Sequence, residues 1–514
     1  MNLLKNWWNN SSKQEKAVQI IVAFLVFAYS AYINNASVSI ATGLAAAYIL
    51  YDCYQKESFS GFRIARENWL GIAIYLGSVL LASLLLGDKP SIQMAFKYVY
   101  WALPFVLAAY LSKLADIRYA AGVGALLSVA VSAINVVYRN YLFLHGEKLA
   151  LGQGVRIGAF SANANHYSML LICTLPLLLC LYTNKKLRAR GLATVISIAV
   201  TALGLWALWK TGSRGAMIGL FLGFLSTLTV FCFQTKNSKL FLKGVLIIGM
   251  LVGGFLLVGI PGGEQRVGDV TRLRQLRSCY AMWNDHKLAG VGLENWQKEY
   301  ADHYLLTDEI RQDALQRYLK RKEEARKKAA AKKAAIQNTP TEKNGKIKAR
   351  EKSPIVRQQN TAAQSSQKAI EKQETDQQKA ARRKAAVKKA AARKKAAARK
   401  AAKKEAARRL AVQNRTVQHE ADLPIPHNVV AWFFSTTGLL GGIGYLLFVV
   451  YYCRLLYRKM REYPDEWIIF AGLWIFLAVA IHGLVDAGIT NKEAARLVYL
   501  VLGLALSNTI RREV

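Results

Sequence analysis

Cysteine is scarce in this sequence, and acidic residues are few. The 514 residues include six cysteines, none of them in a CxxC pair, and 32 Asp and Glu against 70 Lys and Arg. The cysteine pattern excludes a disulfide framework and a cysteine-based metal site. The formal net charge is +38, although 53% of the residues are hydrophobic. A single soluble core does not explain this combination, so the charge and the apolar residues must occupy different parts of the chain.

Long apolar runs account for the hydrophobic content. A helix needs about 17 to 25 apolar residues to cross a hydrocarbon core roughly 30 Å thick. The first run is long, lacks a small-residue cleavage site and is followed at once by another, which favours a retained span over a signal peptide. We predict an all-α polytopic membrane protein with about twelve transmembrane helices and one large extracytoplasmic loop. The twelve runs lie near residues 16–34, 37–54, 69–87, 93–112, 118–138, 167–183, 189–209, 215–233, 240–260, 428–452, 467–487 and 495–509.

The cations of the short loops set the orientation. With the N-terminus in the cytoplasm, the cytoplasmic loops and termini carry 20 Lys and Arg, and the opposite side carries 8. An excess of cations marks the cytoplasmic side, so both termini are expected there. Residues 1–260 then hold the first nine spans, 261–427 form the extracytoplasmic loop, and 428–514 hold the last three spans. The loop's own charge does not contradict this, because long loops translocate largely regardless of charge.

The loop consists of a short segment at 261–310 and a low-complexity basic insert at 311–410. The insert holds 33 Lys and Arg against 9 Asp and Glu, a net charge of +24 (33 − 9). Alanine with Lys and Arg forms helices but offers little to bury, which predicts two solvated helical arms broken near 337–366. The insert is either tolerated without a role or lies on anionic headgroups or sugar phosphates. Because no aromatic residues interleave the cations, we expect no nucleic-acid partner.

Arginines mark the outer ends of two predicted segments. Arg214 begins the eighth span in "KTGSRGAMIGLFLG". A helix N-terminus and a guanidinium would together hold a phosphate there, whereas the alternative is an arginine that snorkels to headgroups. Arg272, Arg274 and Arg277 follow the ninth span in "DVTRLRQLRSCYAMWNDHKLAGVGLENW". Only Arg274 and Arg277 are helical neighbours, and an amphipathic surface helix is as compatible with this stretch as a site.

Two further polar stretches precede predicted spans. "RIGAFSANANHYSMLL" contains Arg156 and Asn165 before the sixth span. This stretch fits either a capped helix start or a polar lip for sugar hydroxyls. His427 and Asn428 follow "LPIP" at the start of the tenth span. A histidine is well suited to take a proton from a hydroxyl near neutral pH, and the alternative for His427 is a cap or an interfacial residue.

These motifs resemble the O-antigen ligase and polymerase family of bacterial envelope membrane proteins. His427 and Asn428, followed by nine residues and "GLLG", match the ligase pattern of His, then Asn, Ser or Gln, nine residues and GxxG. "SRGAMIG" is similar to the family's arginine motif, and "RLRQLRSCYAMWNDHKLAGVGLENW" to the stretch that opens its periplasmic loop, with Lys287 in place of a proline. "RIGAFSANANHYSMLL" resembles its Phe-x-Asn-x-Asn segment. The resemblance covers these sites and about 430–510, the first 140 residues by topology only, and the basic insert not at all.

The resemblance implies a GT-C-like glycosyltransferase of the bacterial inner membrane with a periplasmic active site. Such proteins pass glycan from undecaprenyl diphosphate to a lipid A core sugar, with inversion and without a metal or other cofactor. By this resemblance, Arg214 and Arg272 hold the diphosphate, and His427 orients or deprotonates the acceptor hydroxyl. The further substrate-binding residues that we expect are Arg277 (the reserve for Arg272), Arg156, Asn165 and Asn428.

Three other functions compete with the ligase. A polymerase of the same family would extend the lipid-linked chain, although the His-Asn-x9-GxxG spacing favours the ligase. A protein O-oligosaccharyltransferase would share these motifs but use a serine on a secreted protein as its acceptor. A transporter or flippase would show internal repeats or broken midplane helices with ionisable residues, and the sequence shows neither. Asp486 and His482, near the outer end of the eleventh span, are expected either to form an internal polar pair or to lie behind the residues that contact the substrate.

Overall fold

Every regular element that the structure describes is a helix. The computed structural model describes residues 12–146, 156–160, 163–182, 191–236, 239–246, 249–250, 268–337, 365–486 and 488–507. The chain divides into two compact units. We call residues 1–305 with 423–514 the core unit, and residues 306–422 the basic unit.

Helices of the core unit begin at capping residues that the sequence supplies. Ser12 and Glu15 form a capping box at the start of α1, and Asp88 caps α4, where a proline follows in the first turn. Such caps satisfy N–H groups that have no partner within a helix. The helices are α1 (Lys13–Ala31), α2 (Asn35–Lys56), α3 (Arg66–Leu86), α4 (Lys89–Trp101), α5 (Leu103–Leu114), α6 (Arg118–Leu144), α7 (Ala164–Thr174), α8 (Leu179–Tyr182), α9 (Gly191–Lys210), α10 (Arg214–Thr235), α11 (Gly268–Asp285), α12 (Trp296–Glu299), α15 (Val429–Glu462), α16 (Trp467–Gly483) and α17 (Lys492–Ser507).

Ten apolar segments of the described chain fall on ten of the twelve predicted spans. Two of them are short, at Thr194–Lys210 and Trp467–Gly483. Of the two remaining runs, the one at 240–260 lies mostly outside the described residues, and the one at 495–509 coincides with the buried helix α17. The count of twelve spans therefore stays a prediction. The eight segments long and apolar enough to cross a membrane are Lys13–Ala31, Asn35–Lys56, Arg66–Leu86, Lys89–Leu114, Arg118–Leu144, Ala164–Tyr182, Arg214–Thr235 and Val429–Glu462.

Close backbone contacts hold these helices together. A Cβ on Gly124 of α6 would come within 2.3 Å of the carbonyl oxygen of Ala23 in α1. A Cβ on Gly503 of α17 would come within 2.6 Å of the carbonyl oxygen of Phe105 in α5. Small residues let apolar helices approach closely enough for extensive van der Waals contact, which is the main attraction between helices in lipid.

The basic unit is a pair of antiparallel helices, α13 (Thr307–Gln337) and α14 (Ser365–Ala421). Lys322 and Tyr318 of α13 both bind the carboxylate of Glu405, and Gln413 donates from Nε2 to the carbonyl oxygen of Arg311 at 3.1 Å. The helices correspond to the two predicted arms. Residues 338–364, where the sequence predicts the break, lie outside the described residues.

Candidate functional site

The position of Arg214, the first residue of α10, depends on how α10 packs against α16. A Cβ on Gly219 would come 2.6 Å from the carbonyl oxygen of Ala478, and one on Gly223 would come 2.9 Å from the nitrogen of Ala478. Contacts this close between backbones require glycine. This packing places the start of α10 beside the end of α16, just before Asp486. Glycines at 215, 219 and 223 form a stripe of small residues along the side of α10 that faces α16.

His427 and Asp486 form a pair at the adjoining ends of α15 and α16. Nδ1 of His427 lies 3.4 Å from Oδ1 of Asp486. The His427 side chain is 29% exposed and that of Asp486 10%. Asn428 caps α15 by accepting from the nitrogen of Ala431 at 2.8 Å, and its Nδ2 donates to the carbonyl oxygen of Leu484 at 2.9 Å. Asn428 therefore ties the start of α15 to the chain after α16 and holds the histidine beside the carboxylate.

Asp486 interacts electrostatically with His482, and its carboxylate also lies within 3.4 Å of His427. His482 is 2% exposed, and neither of its ring nitrogens has a hydrogen-bond partner among the described residues. Asp486 lies beyond the last residue of α16, which brings its carboxylate within reach of His427. The sequence interval of four suggests helical neighbours, but α16 ends at Gly483, so the interval does not correspond to one helical turn.

Arg156 connects the turn before α10 with the start of α7. Its Nε donates to the carbonyl oxygen of Thr211 at 2.8 Å, and its Nη2 donates to Oδ1 of Asn165. Burial lowers the pKa of Arg156, while the charge of Asp486 raises it and that of Arg272 lowers it. The ordinary pKa of an arginine lies so far above neutrality that the guanidinium stays charged at neutral pH. Arg156, Arg272 and Asp486 thus belong to one electrostatic cluster.

Helix α11 has the reverse of the polarity expected for a surface helix in water. Arg274 is 3% exposed and Gln275 is 1% exposed. Arg272 is half-buried and Arg277 is exposed. The apolar face points outward, because residues three or four apart on a helix share a side. Such a face suits an apolar environment better than water. The apolar residues of the outward face, with the exposed Arg277 among them, are Val270 (50% exposed), Leu273 (51%), Leu276 (44%) and Tyr280 (65%).

An apolar groove of about 700 Å³ lies between α11 and α15. Arg277 and Asn428 are also among the residues that line it. Since Asn428 directly follows His427, the groove adjoins the His427–Asp486 pair. The ring of Trp283 meets that of Phe434 edge-on, with centroids 5.6 Å apart. The apolar lining includes Leu276, Tyr280 and Trp283 from α11, and Val430, Ala431 and Phe434 from α15.

Helix α15 is broken at Gly438, where φ is +61° and ψ is −154°. The chain after α11 fills the break. Backbone groups freed by a broken helix need new partners when they are buried. Uninterrupted hydropathy over this stretch gives no sign of the break. The four bonds that join the two segments run from Leu439 N to Lys287 O (2.7 Å), Leu440 N to Leu288 O (3.3 Å), Val291 N to Ser435 O (2.9 Å) and Gly292 N to Thr436 O (2.9 Å).

Two glycines make this contact possible, one on each side. A Cβ on Gly438 would lie 2.3 Å from the carbonyl carbon and oxygen of Leu288. A Cβ on Gly290, whose φ is +70°, would lie 2.3 Å from the carbonyl carbon of Thr436. The "GVG" and "GLLG" motifs are therefore two halves of one contact, which we call the glycine interlock (residues 287–292 with 435–440). The interlock fixes α11 and its arginines relative to α15 and its histidine.

The structure relates most predicted site residues to one another, and it adds Asp486. Hydrogen bonds or electrostatic interactions link Arg156, Asn165, Arg272 and Asp486. The packing of α10 against α16, and the turn that Arg156 holds, place Arg214 on the same side of the core unit. The signal that could have identified Asp486 is a carboxylate directly after an apolar run, since ionisable groups there need a partner. In the part of the chain that the structure describes, no group of three or more His, Cys, Asp or Glu lies close enough to hold a metal ion.

Comparison of the sequence with protein-family models finds no matching family, and comparison with curated proteins finds no significant match.

Proposed function

We propose that this chain is a metal-independent, inverting glycosyltransferase that moves glycan from undecaprenyl diphosphate to a lipid A core sugar. The reaction would take place at the periplasmic face of the bacterial inner membrane. Twelve spans, cytoplasmic termini and a periplasmic loop at 261–427 belong to this proposal. The observation that carries it is the His427–Asp486 pair, which adjoins an apolar groove and shares an electrostatic cluster with arginines.

His427 is the proposed base. A sugar hydroxyl is a poor nucleophile unless a base within hydrogen-bond reach takes its proton. A carboxylate beside Nδ1 favours the tautomer with the proton on that nitrogen, which leaves Nε2 to accept the proton from the acceptor. Asp486 would then stabilise the imidazolium that forms. The separation of 3.4 Å is long for a hydrogen bond, and such contacts often shorten when substrate binds.

The arginines are the proposed ligands of the diphosphate. As the acceptor oxygen bonds to the sugar's anomeric carbon, the bond to the phosphate oxygen breaks, and negative charge develops on the leaving diphosphate. Fixed guanidinium groups stabilise that charge without needing to reorganise. Arg214 offers in addition the positive end of α10. Arg272 and Arg156 would complete the cradle.

The groove and the outward face of α11 are the proposed contacts for the polyprenyl tail and surrounding membrane lipids. Burying apolar chain is favourable by about 0.8 kcal/mol per CH₂. Arg277 and Asn428, which also line the groove, would lie near the polar head of the same lipid. The reversed polarity of α11 supports this role, because an outward apolar face is stable beside lipid and unstable in water.

The lipopolysaccharide of a strain lacking this gene provides the test, with core-linked and undecaprenyl-linked glycan measured separately. The ligase proposal requires full-length chains on the lipid carrier and a bare core. A core bearing a single repeat unit would identify a polymerase instead. An unchanged pattern with loss of glycan from secreted proteins would identify a protein O-oligosaccharyltransferase. Transfer by the purified protein without an energy source or a gradient separates all three from transport.

A further inference from the structure

The cations of α14 form an exposed surface that the proposed transfer reaction does not use. Residues 381–404 are exposed at every position. From Arg382 to Lys404 the helix carries twelve Lys and Arg, and no Asp or Glu occurs from residue 377 until Glu405. At 1.5 Å per residue these charges occupy roughly 34 Å of helix, or one about every 3 Å. A surface of this charge density attracts a partner whose negative charges are also closely spaced.

These cations surround α14 and do not mark one face of it. Consecutive clusters begin 6, 5, 6 and 4 residues apart. At about 100° per residue, they point to different sides of the helix. Alanines and Val387 fill the intervals, so the helix has no apolar stripe of the kind that anchors an interfacial helix in a bilayer. The clusters are 382–384, 388–389, 393–395, 399–400 and 403–404.

The distribution of charge favours a flexible chain over a flat surface. A bilayer would meet the cations on one side of α14 and leave those on the other side about 10 Å away, near one Debye length. A flexible polyanion can follow the charges around the helix. Single-stranded nucleic acid is flexible too, but its binding sites carry aromatic side chains on which bases stack. Helix α14 has no Phe, Tyr or Trp along its 57 residues.

We propose that α14 binds an anionic polysaccharide through the carboxylate or phosphate groups of its sugars. Arginine forks bind such groups in pairs of hydrogen bonds, and lysines act as point charges. The acidic residue nearest the surface is already neutralised, because Glu405 binds Lys322 and Tyr318. This site is separate from the transfer chemistry, since all proposed catalytic residues belong to the core unit.

The test uses full-length protein in a neutral detergent and fluorescently labelled alginate, a polymer of carboxylated sugars. One variant replaces five α14 cations with glutamine, which keeps helix propensity. A matched variant removes five cations from α13, where Glu323 and Glu324 interrupt the charge. Circular dichroism shows whether both remain helical. The α14 variant is Arg393, Lys394, Lys395, Arg399 and Lys400→Gln, and the α13 variant is Lys320, Arg321, Arg326, Lys327 and Lys328→Gln.

We expect the α14 variant to bind alginate at least roughly tenfold more weakly, with a slope of log affinity against log salt reduced by about 3 to 4. The α13 variant should stay within about threefold of the parent. Equal losses in both variants would show that net charge alone matters and would overturn the assignment, as would unchanged binding in the α14 variant. Phosphatidylglycerol in mixed micelles with the same detergent, or a deoxythymidine oligonucleotide of matched charge, would also overturn it by displacing labelled alginate more strongly than unlabelled alginate does. The alginate assay measures binding and not glycan transfer, so its result can be interpreted even if the proposed transfer reaction is wrong.

Discussion

Gly438→Ala adds one methyl group to α15, and we expect it to destabilise the core unit by about 2–6 kcal/mol. The backbone at Gly438 has φ +61° and ψ −154°, a region that only glycine occupies readily, so an alanine there costs about 1–3 kcal/mol. Its Cβ would also lie 2.3 Å from backbone atoms of Leu288, which cannot rotate away. Moving Leu288 disrupts the bonds to Leu439 and Leu440, worth about 0.5–1.5 kcal/mol each.

Thermal unfolding of the purified protein in detergent, followed by tryptophan fluorescence, measures this effect. Gly77→Ala is the matched control, because a Cβ on Gly77 meets nothing within 4 Å in helix α3. The control should be neutral or slightly stabilising, since alanine favours helix over glycine by about 0.5–1 kcal/mol. Gly290→Ala should lower Tm as Gly438→Ala does. The drop in Tm of the double variant should be smaller than the sum of the drops in the two single variants, because both changes break the same contact. An unchanged Tm in Gly438→Ala, or strict additivity of the two changes, would refute the glycine interlock.

Further predictions concern the site and the basic unit. His427→Ala should abolish glycan transfer in the purified protein, and a near-normal rate would remove the histidine from the mechanism. Asp486→Asn should lower kcat by a factor of roughly 10²–10⁴ with Tm little changed, because the carboxylate that stabilises the imidazolium is lost. A large drop in Tm together with the drop in kcat would assign Asp486 a structural role. Deleting 312–410 should leave transfer intact, and complete loss in a well-expressed deletion would contradict this. Binding to Lys322 lowers the pKa of Glu405 below its ordinary value of about 4.3. The stabilisation that the Glu405–Lys322 ion pair gives the α13–α14 pair is therefore fully present above the pKa of Glu405 in the unfolded chain. It is lost as the pH falls through the lower pKa that Glu405 has in the folded protein. Hydrogen exchange in α14 should show that dependence and Glu405→Gln should remove it.

Composition predicts much of the helical architecture. The predicted run at 37–54 corresponds to the helix Asn35–Lys56, and the run at 215–233 corresponds to the helix Arg214–Thr235. The bounds agree because a continuous apolar sequence with polar flanks restricts where a spanning helix begins and ends. Asn428 at the start of α15 follows from the strong preference of asparagine for the N-cap. The glycine spacing at 215, 219 and 223 also predicts a close helix contact, although the partner helix is not readable from it.

The internal arrangement of the candidate site depends on contacts that the sequence does not reveal. The break at Gly438 has no local signature in hydropathy, because its new backbone partners lie about 144 to 152 residues earlier in the chain. Burial of Arg274 with exposure of Leu273 reverses the ordinary rule for solvent-facing helices, and a window of sequence carries no information on which solvent a helix meets. The pairing of Asp486 with His427 depends on where α16 ends, a boundary that hydropathy places only approximately.

The glycine interlock also imposes a delay during synthesis of the protein. Val291 bonds to Ser435, so 143 residues, among them the whole basic unit, must be made before the contact can form. At about 5–20 residues per second, this interval lasts roughly 7–30 s. Throughout that time the backbone groups of 287–292 lack their final partners and must stay hydrated. Lengthening the basic unit would extend the delay in proportion, whereas the entropy cost of closing the loop would rise only with the logarithm of its length. Selection on the length of this insert would therefore act on the time that the chain spends unfinished, more than on the stability of the finished fold.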